Sequence, residues 1–283
     1  LLKEIYFGAI REHKDKIAQI KDSDFGKILS EASSRWICYE PSPTGCTTAG
    51  VDSSWNKRAF QGLDLYVVDA AAVTAKNEVL ASEWETNFGL ARSELLEQKA
   101  MLMEMTVLEK ASRRVDIVCV DGSLVPRIAK SSAAVASETL KVATRCSNAI
   151  FVSKTSDSRI QFANLNSKAG DIYYFNHATK SPGFSRPVKN LQSGNFGSIV
   201  VVEFYARIKE HTPIIKVQTI ISDASEQEIK KLLDMLCYRS VAGYPYCLRL
   251  AHDTCKISNE DIDRLASIYG LQNEPGAREV LNE

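Results

Sequence analysis

Apolar residues recur along the chain with two alternating periods, and the switches between them predict the order of elements. Over residues 1–33, Ile5, Ile10, Ile17, Ile20, Phe25 and Ile28 return at near-helical spacing among charges, which predicts one or two amphipathic helices. A stretch rich in Pro, Gly and Thr (41–50) interrupts the chain before Val51-Asp52-Ser53-Ser54. Residues 63–73 form a strongly apolar, strand-length run, and Lys76-Asn77 supplies a hairpin turn into residues 78–83. A long helical pattern follows over 89–114, carried by Leu96, Ala100, Met103, Val107 and Ala111. A buried-type strand (115–120) then ends in Asp121-Gly122-Ser123. A helix at 130–147 leads into a strand at 149–152 and the polar turn Ser153-Lys154-Thr155-Ser156. Residues 157–195 read as irregular, rich in Ser, Asn, Gly and Tyr. Two β-rich stretches (198–208 and 214–221) and a helix at 226–239 precede Gly243-Tyr244-Pro245-Tyr246 and a last helix containing His252.

The resulting order, β-β-β-α-β-α-β, combines an antiparallel front with a parallel βαβ unit, so the fold class is α/β with a mixed sheet flanked by helices. In such a sheet the first strand and the strand after the long helix can lie side by side, which would bring Asp52 and Asp121 together. The chain divides into an N-terminal helical arm (1–45), a main domain (46–270) with an irregular, β-rich insertion (157–222), and a C-terminal tail (271–283).

Composition leaves this picture intact: 45% hydrophobic and 25% charged residues are globular proportions. Net charge is zero, yet it is unevenly spread. Residues 1–121 carry 15 basic and 19 acidic side chains, residues 122–202 carry 10 and 3, and residues 203–283 carry 10 and 13. A basic middle of this kind suits a phosphate backbone whatever the total. No run approaches a membrane span, and the start, Leu1-Leu2-Lys3-Glu4, has an amphipathic-helix period and no signal-peptide layout. Lacking an initiator Met, the chain is expected to be trimmed or processed. The seven cysteines are odd in number and form no Cys-x-x-Cys pair, which excludes a zinc ribbon and points to a cytoplasmic protein.

Asp52 and Asp121 share a setting: an apolar strand, the aspartate, then a small residue and a serine. Such carboxylates point into the crevice beyond the strand ends. Two carboxylates close together repel, and a divalent cation relieves the repulsion; oxygen donors suit magnesium or manganese. A turn-capping role is the alternative for either aspartate alone. The long helix offers a third carboxylate, Glu104 within Met101-Leu102-Met103-Glu104-Met105, with Glu97 left open. His252 follows the Tyr-Pro-Tyr turn on an otherwise apolar helix, where it serves as a core hydrogen-bonding group or as a late metal ligand.

Taken in order, Asp52-Ser53-Ser54, Val120-Asp121-Gly122-Ser123-Leu124, Ser153-Lys154-Thr155-Ser156 and Gly243-Tyr244-Pro245-Tyr246-Cys247-Leu248 with Ala251-His252 resemble the NurA nucleases, over about residues 50–258. The resemblance implies an RNase H-like core and a manganese-dependent 5′–3′ exonuclease on single- and double-stranded DNA, with single-strand endonuclease activity. It implies a homodimer that works with the hexameric HerA ATPase in DNA end resection. It matches Asp52, Glu104 and Asp121 to metal-binding carboxylates, Lys154 to a contact with the scissile phosphate, and His252 to a histidine near the metals. Asp-Ser-Ser stands here where members of the family often carry Asp-Gly-Ser. On this reading Asp52, Glu104 and Asp121 hold one or two manganese ions (magnesium as the alternative) that activate water for attack on a phosphodiester. Arg159, Lys168, Lys180, Arg186 and Lys189 are expected to hold the backbone by charge, and Tyr173, Tyr174, Phe175 and Phe184 either to stack on unpaired bases or to pack the irregular insertion. Two other classes stay open. One is an actin-like or sugar-kinase-like phosphotransferase, although the chain has no Walker A pattern; the other is a non-catalytic RNase H-like scaffold.

Overall fold

The computed structural model describes residues 2–20, 24–194, 197–221 and 224–271. Its centre is a ten-stranded mixed sheet, built in two stages along the chain. First comes an antiparallel meander of β2 (Thr48–Phe60), β3 (Leu63–Thr74) and β4 (Val79–Gly89). Asn77, at φ 65°, makes the expected turn between β3 and β4. Helix α3 (Ser93–Ser112) crosses over to β5 (Ile117–Asp121), which lies parallel to β2 with Val51 opposite Val120. Helices α4 (Leu124–Lys130) and α5 (Ala133–Arg145) then return to β6 (Ala149–Ser153), parallel to β5. This meander followed by parallel crossovers is the RNase H-like arrangement.

The second stage widens the sheet. The short edge strand β1 (Trp36–Cys38) pairs with β7 (Gly183–Ser185), and β8 (Val188–Gly194) pairs with β9 (Gly197–Arg207). Strand β10 (Ile215–Thr219) lies antiparallel between β6 and β9. The segment read as an insertion, 157–222, is therefore continuous with the sheet. Within it, residues 171–178 form helix α6 (Asp171–Ala178), where the sequence predicts irregular chain. Adjacent aromatics in Asp-Ile-Tyr-Tyr-Phe-Asn-His-Ala mask the helical period.

Strand β5 is apolar up to Asp121 because it is covered on both sides. Val118 and Val120 pack with Met105 and Leu108 of α3 and Val142 of α5. Cys119 packs the other way, with Leu233 and Leu236 of α7 (Glu226–Tyr238) and Cys247 and Leu248 of α8 (Tyr246–Cys255). A third cluster joins Ile28 and Ala32 of α2 (Phe25–Arg35) to Tyr174 and Phe175 of α6. Helix α9 (Asn259–Ile268) places Ala266 against Phe60 and Leu65. In contrast, α1 (Leu2–Ile20) leaves Leu2, Ile5, Tyr6, Phe7, Ile10 and Ile17 exposed. Among the described residues no helix is long and apolar enough to cross a membrane. All but the first residue of the predicted tail, 271–283, lies outside the described residues.

Candidate active site

The parallel pairing of β2 and β5 places Asp52 and Asp121 on neighbouring strands, at the end of the sheet where β5 and β6 stop. Two glycines shape the surroundings. Gly50, two residues before Asp52, lies so close to α8 that an added Cβ would stand 2.3 Å from the Cys247 carbonyl oxygen. This close approach of α8 to β2 sets His252 over Asp52, and its Nδ1 is 2.9 Å from Asp52 Oδ2. Gly122, at φ 94°, turns the chain after Asp121, and a Cβ there would stand 3.0 Å from the Arg127 guanidinium.

Glu104, on α3, is buried and receives the Ser53 hydroxyl at 2.6 Å and the Arg127 guanidinium. Arg127 also donates to the Asp121 carbonyl. The Tyr244 hydroxyl donates to Asp121 Oδ1 at 2.9 Å, and Lys154 Nζ lies 4.5 Å from the centre of the Tyr244 ring. An open cavity of about 330 Å³ is lined by Asp52, Asp121, Gly122, Arg127, Ser153, Lys154 and Thr155.

Electrostatics follow from this crowding. Burial, then the charges of Glu104 and Asp121, push the Asp52 carboxyl up to about 6, against the opposing Ser53 N–H and His252. Asp69, which accepts from the Ser54 N–H on the neighbouring strand, is pushed up to about 7, chiefly by burial and with a contribution from Asp52. Burial disfavours the Arg127 charge, but Glu104, Asp121 and Asp52 more than offset it, so its pKa is raised. Burial and the Asp121 charge raise the Tyr244 hydroxyl, which stays a proton donor.

Comparison with known proteins gives the family. A profile of the NurA domain matches residues 46–257, three quarters of the chain. The chain belongs to the NurA family. A relative in Sulfurisphaera tokodaii, named DNA double-strand break repair nuclease NurA, is 19% identical over a 327-residue alignment covering 97% of each chain. One of the same name in Saccharolobus solfataricus is 27% identical over 133 residues, covering 44% of this chain and 38% of the relative. The crystal structure of the NurA nuclease from Sulfolobus solfataricus superposes with a TM-score of 0.80 at 20% identity, covering 95% of this chain and 97% of that one. A crystal structure of NurA bound to dAMP and manganese gives a TM-score of 0.63 at 12% identity over 99% of both chains. NurA membership leaves the kinase-like alternative without support.

The structure brings Asp52, Glu104, Asp121, Lys154 and His252 to one place. Glu97, the other glutamate considered, is exposed at the mouth of an adjoining groove with Trp55 and Glu94. Sequence reasoning missed Arg127, Tyr244, Ser53 and Asp69. Tyr244 lies inside a motif already singled out, and Asp69 interrupts an apolar strand; both were legible signals. Arg127 was not, because α4 starts within an apparent turn, with Pro126 in its first turn.

For three of the four aromatics the structure favours packing over stacking. Tyr174, Phe175 and Phe184 are buried, so none has a ring face free for a base. Tyr174 packs on Phe162 and Phe25, and its hydroxyl accepts the Lys168 and Ala169 N–H groups. Tyr173 remains half-buried, and Arg159, Lys168, Lys180, Arg186 and Lys189 are exposed.

The donor chemistry fits a hard divalent cation, since Asp52, Glu104 and Asp121 supply only carboxylate oxygens. Those oxygens now take hydrogen bonds from Ser53, Arg127, Tyr244 and His252, and among the described residues no three acidic, His or Cys side chains are gathered into a metal-holding group. One guanidinium faces three carboxylates, however, and the charges of Glu104 and Asp121 add to burial in pushing the Asp52 carboxyl up. A metal ion would neutralise these charges.

Proposed function

We propose that this chain is a metal-dependent DNA nuclease that hydrolyses phosphodiesters. It would act as a 5′–3′ exonuclease on single- and double-stranded DNA and as an endonuclease on single strands. Its role would be DNA end resection in recombinational repair of double-strand breaks, in the cytoplasm, as a homodimer with a HerA-type hexameric ATPase. The observation that carries the chemistry is the meeting of Asp52 and Asp121 beside Lys154 on one open cavity, with the charge of Glu104 acting on Asp52 from the adjoining groove. The names of the relatives support DNA as substrate, and the solved relatives with manganese or with dAMP and manganese support that metal. Polarity, dimer and ATPase partner rest on the family resemblance; the exposed apolar side of α1 is consistent with a dimer arm.

Asp52, Glu104 and Asp121 would hold the metal, with His252 beside them. When bound, the metal would polarise the phosphate and lower the pKa of water. Lys154 would place its ammonium on a non-bridging oxygen of the scissile phosphate. Tyr244 fixes the Asp121 carboxylate, while Ser53 and Arg127 fix Glu104. His252 is held by Asp52 through Nδ1 and has 57% of its side chain exposed, so it can pass a proton to the leaving oxygen.

Digestion of end-labelled DNA in manganese, magnesium or chelator tests this reading. Wild type should cut only with metal, and Asp52→Asn or Asp121→Asn should lose about 10³-fold in rate, the scale of removing one preorganised electrostatic group. Cutting in chelator, or full activity in Asp121→Asn, would overturn it. Light scattering on the eluting protein checks the dimer, which a monomer at micromolar concentration would exclude.

A further inference from the structure

Of three cations near this end of the sheet, Lys216 and Arg207 are buried and Arg127 is half-buried, and two of the three face a carboxylate. Arg127 pairs with Glu104, and Lys216 pairs with Glu203 at 3.0 Å. The third, Arg207 at the end of β9, is 1% exposed and has no carboxylate partner among the described residues. Its guanidinium donates to neutral acceptors only: the Thr212 carbonyl, Asn176 Oδ1 at 3.0 Å and the Thr179 carbonyl at 3.1 Å. Its Nε has no partner among the described residues. A buried charge without a counter-charge is costly, so its retention calls for an anion from outside the chain.

Arg207 lines a cleft of about 540 Å³ together with Lys154, Tyr173, Asn176, Lys180 and His211. Among the described residues no carboxylate lines it and neither Lys154 nor Lys180 is paired with one, while His211 Nε2 lies 3.3 Å from Glu210 Oε1 and Lys180 Nζ donates to the Asn176 carbonyl at 2.8 Å. Lys154 also lines the carboxylate cavity, so the two spaces adjoin. The half-buried Tyr173 ring stands in the wall.

Resting on the nuclease reading above, we propose that this cleft is the path of single-stranded DNA leaving the scissile position. Lys154, Lys180 and His211 hold successive phosphates over the uncompensated Arg207, and Tyr173 offers a face to a base. This separates the expected DNA-contacting residues. Tyr173 and Lys180 lie on the path, whereas Arg159, Lys168, Arg186 and Lys189 do not line it.

The test is the affinity for a fluorescent single-stranded oligodeoxynucleotide in chelator, where nothing is cut. Lys180→Glu is compared with Lys231→Glu, the same charge change at an exposed position of α7, away from the cleft. Lys180→Glu should bind about tenfold more weakly at low salt while Lys231→Glu binds like wild type. Lys180→Ala should lower the slope of log K against log salt by about 0.7, one phosphate contact on a single strand. Equal affinity in the two glutamate variants, or an unchanged slope in Lys180→Ala, would overturn the path. Wild type that binds but cuts nothing in manganese would instead overturn the nuclease reading.

Discussion

Two charge clusters lie near one end of the sheet, and they resolve burial in opposite ways. In the first, Glu203 Oε2 receives Lys216 Nζ at 3.0 Å and Gln218 Nε2 at 2.7 Å, while Oε1 receives the Ser158 hydroxyl at 2.9 Å. Lys216 stands in register with Ser153 on β6, so this cluster directly adjoins the second. There, Asp52, Glu104 and Asp121 share one guanidinium, that of Arg127. A balanced, fully hydrogen-bonded pair specifies structure. Unbalanced charge in a cleft is the mark of a group kept for chemistry.

The largest effect expected from this contrast is in the balanced cluster. Lys216→Met leaves Glu203 buried without its cation and should cost about 3–5 kcal/mol of stability. Urea denaturation measures it, and joint replacement with Glu203→Leu should recover most of the loss. A cost below about 1 kcal/mol for Lys216→Met would mean that the pair is not buried in solution.

Asp171 sharpens the contrast, because it is a blemish beside the balanced pair. Its Oδ2 accepts the Gln161 N–H at 2.9 Å, while its Oδ1 is buried without a partner. Burial first, and then the Glu203 charge, push it up to about 6 against the N–H groups of Gln161 and Phe162. The sign follows from linkage. The folded state holds the proton more tightly, so below about pH 3.8 there is no penalty; stability falls as pH rises from there to about 6, and the full cost persists above. Two pKa units correspond to about 3 kcal/mol. Asp171→Asn should therefore raise the melting temperature at pH 8 and leave it little changed near pH 4. A gain of equal size at both pH values would contradict the assignment.

How much of this was legible depended on whether the signal was local. Asp52 and Asp121 stood out because each ends an apolar strand in the same small-residue context, and Glu104 because a glutamate among methionines must face something. The meander and the first crossovers were readable for the same reason: period and turn residues sit within one segment. Position in the wider sheet was not, since β10 enters between β6 and β9 through contacts far apart in sequence. Exposure was equally hidden. Tyr173 and Tyr174 are neighbours of the same type, yet one lines a cleft and the other is 1% exposed in a core. The face of a short helix decides this, and the masked period of α6 concealed it.

The smallest effect tests the site itself, where Tyr244 ties the unbalanced cluster to the basic cleft. Its hydroxyl donates to Asp121, and its ring lies beneath Lys154. Tyr244→Phe keeps the ring, and with it the attraction of the ammonium for the aromatic face. It removes one charge-assisted hydrogen bond from Asp121, typically about 1.5–3 kcal/mol for a charged acceptor, part of which solvent in the open cavity restores. Cleavage should then slow by about tenfold, equivalent to about 1.4 kcal/mol, with affinity for single-stranded DNA unchanged. Tyr244→Leu removes the ring as well, so it should slow cleavage further and weaken binding through Lys154. If both variants weaken binding equally while cutting at the wild-type rate, Tyr244 acts on the strand path alone. Asp121 would then keep its orientation without it.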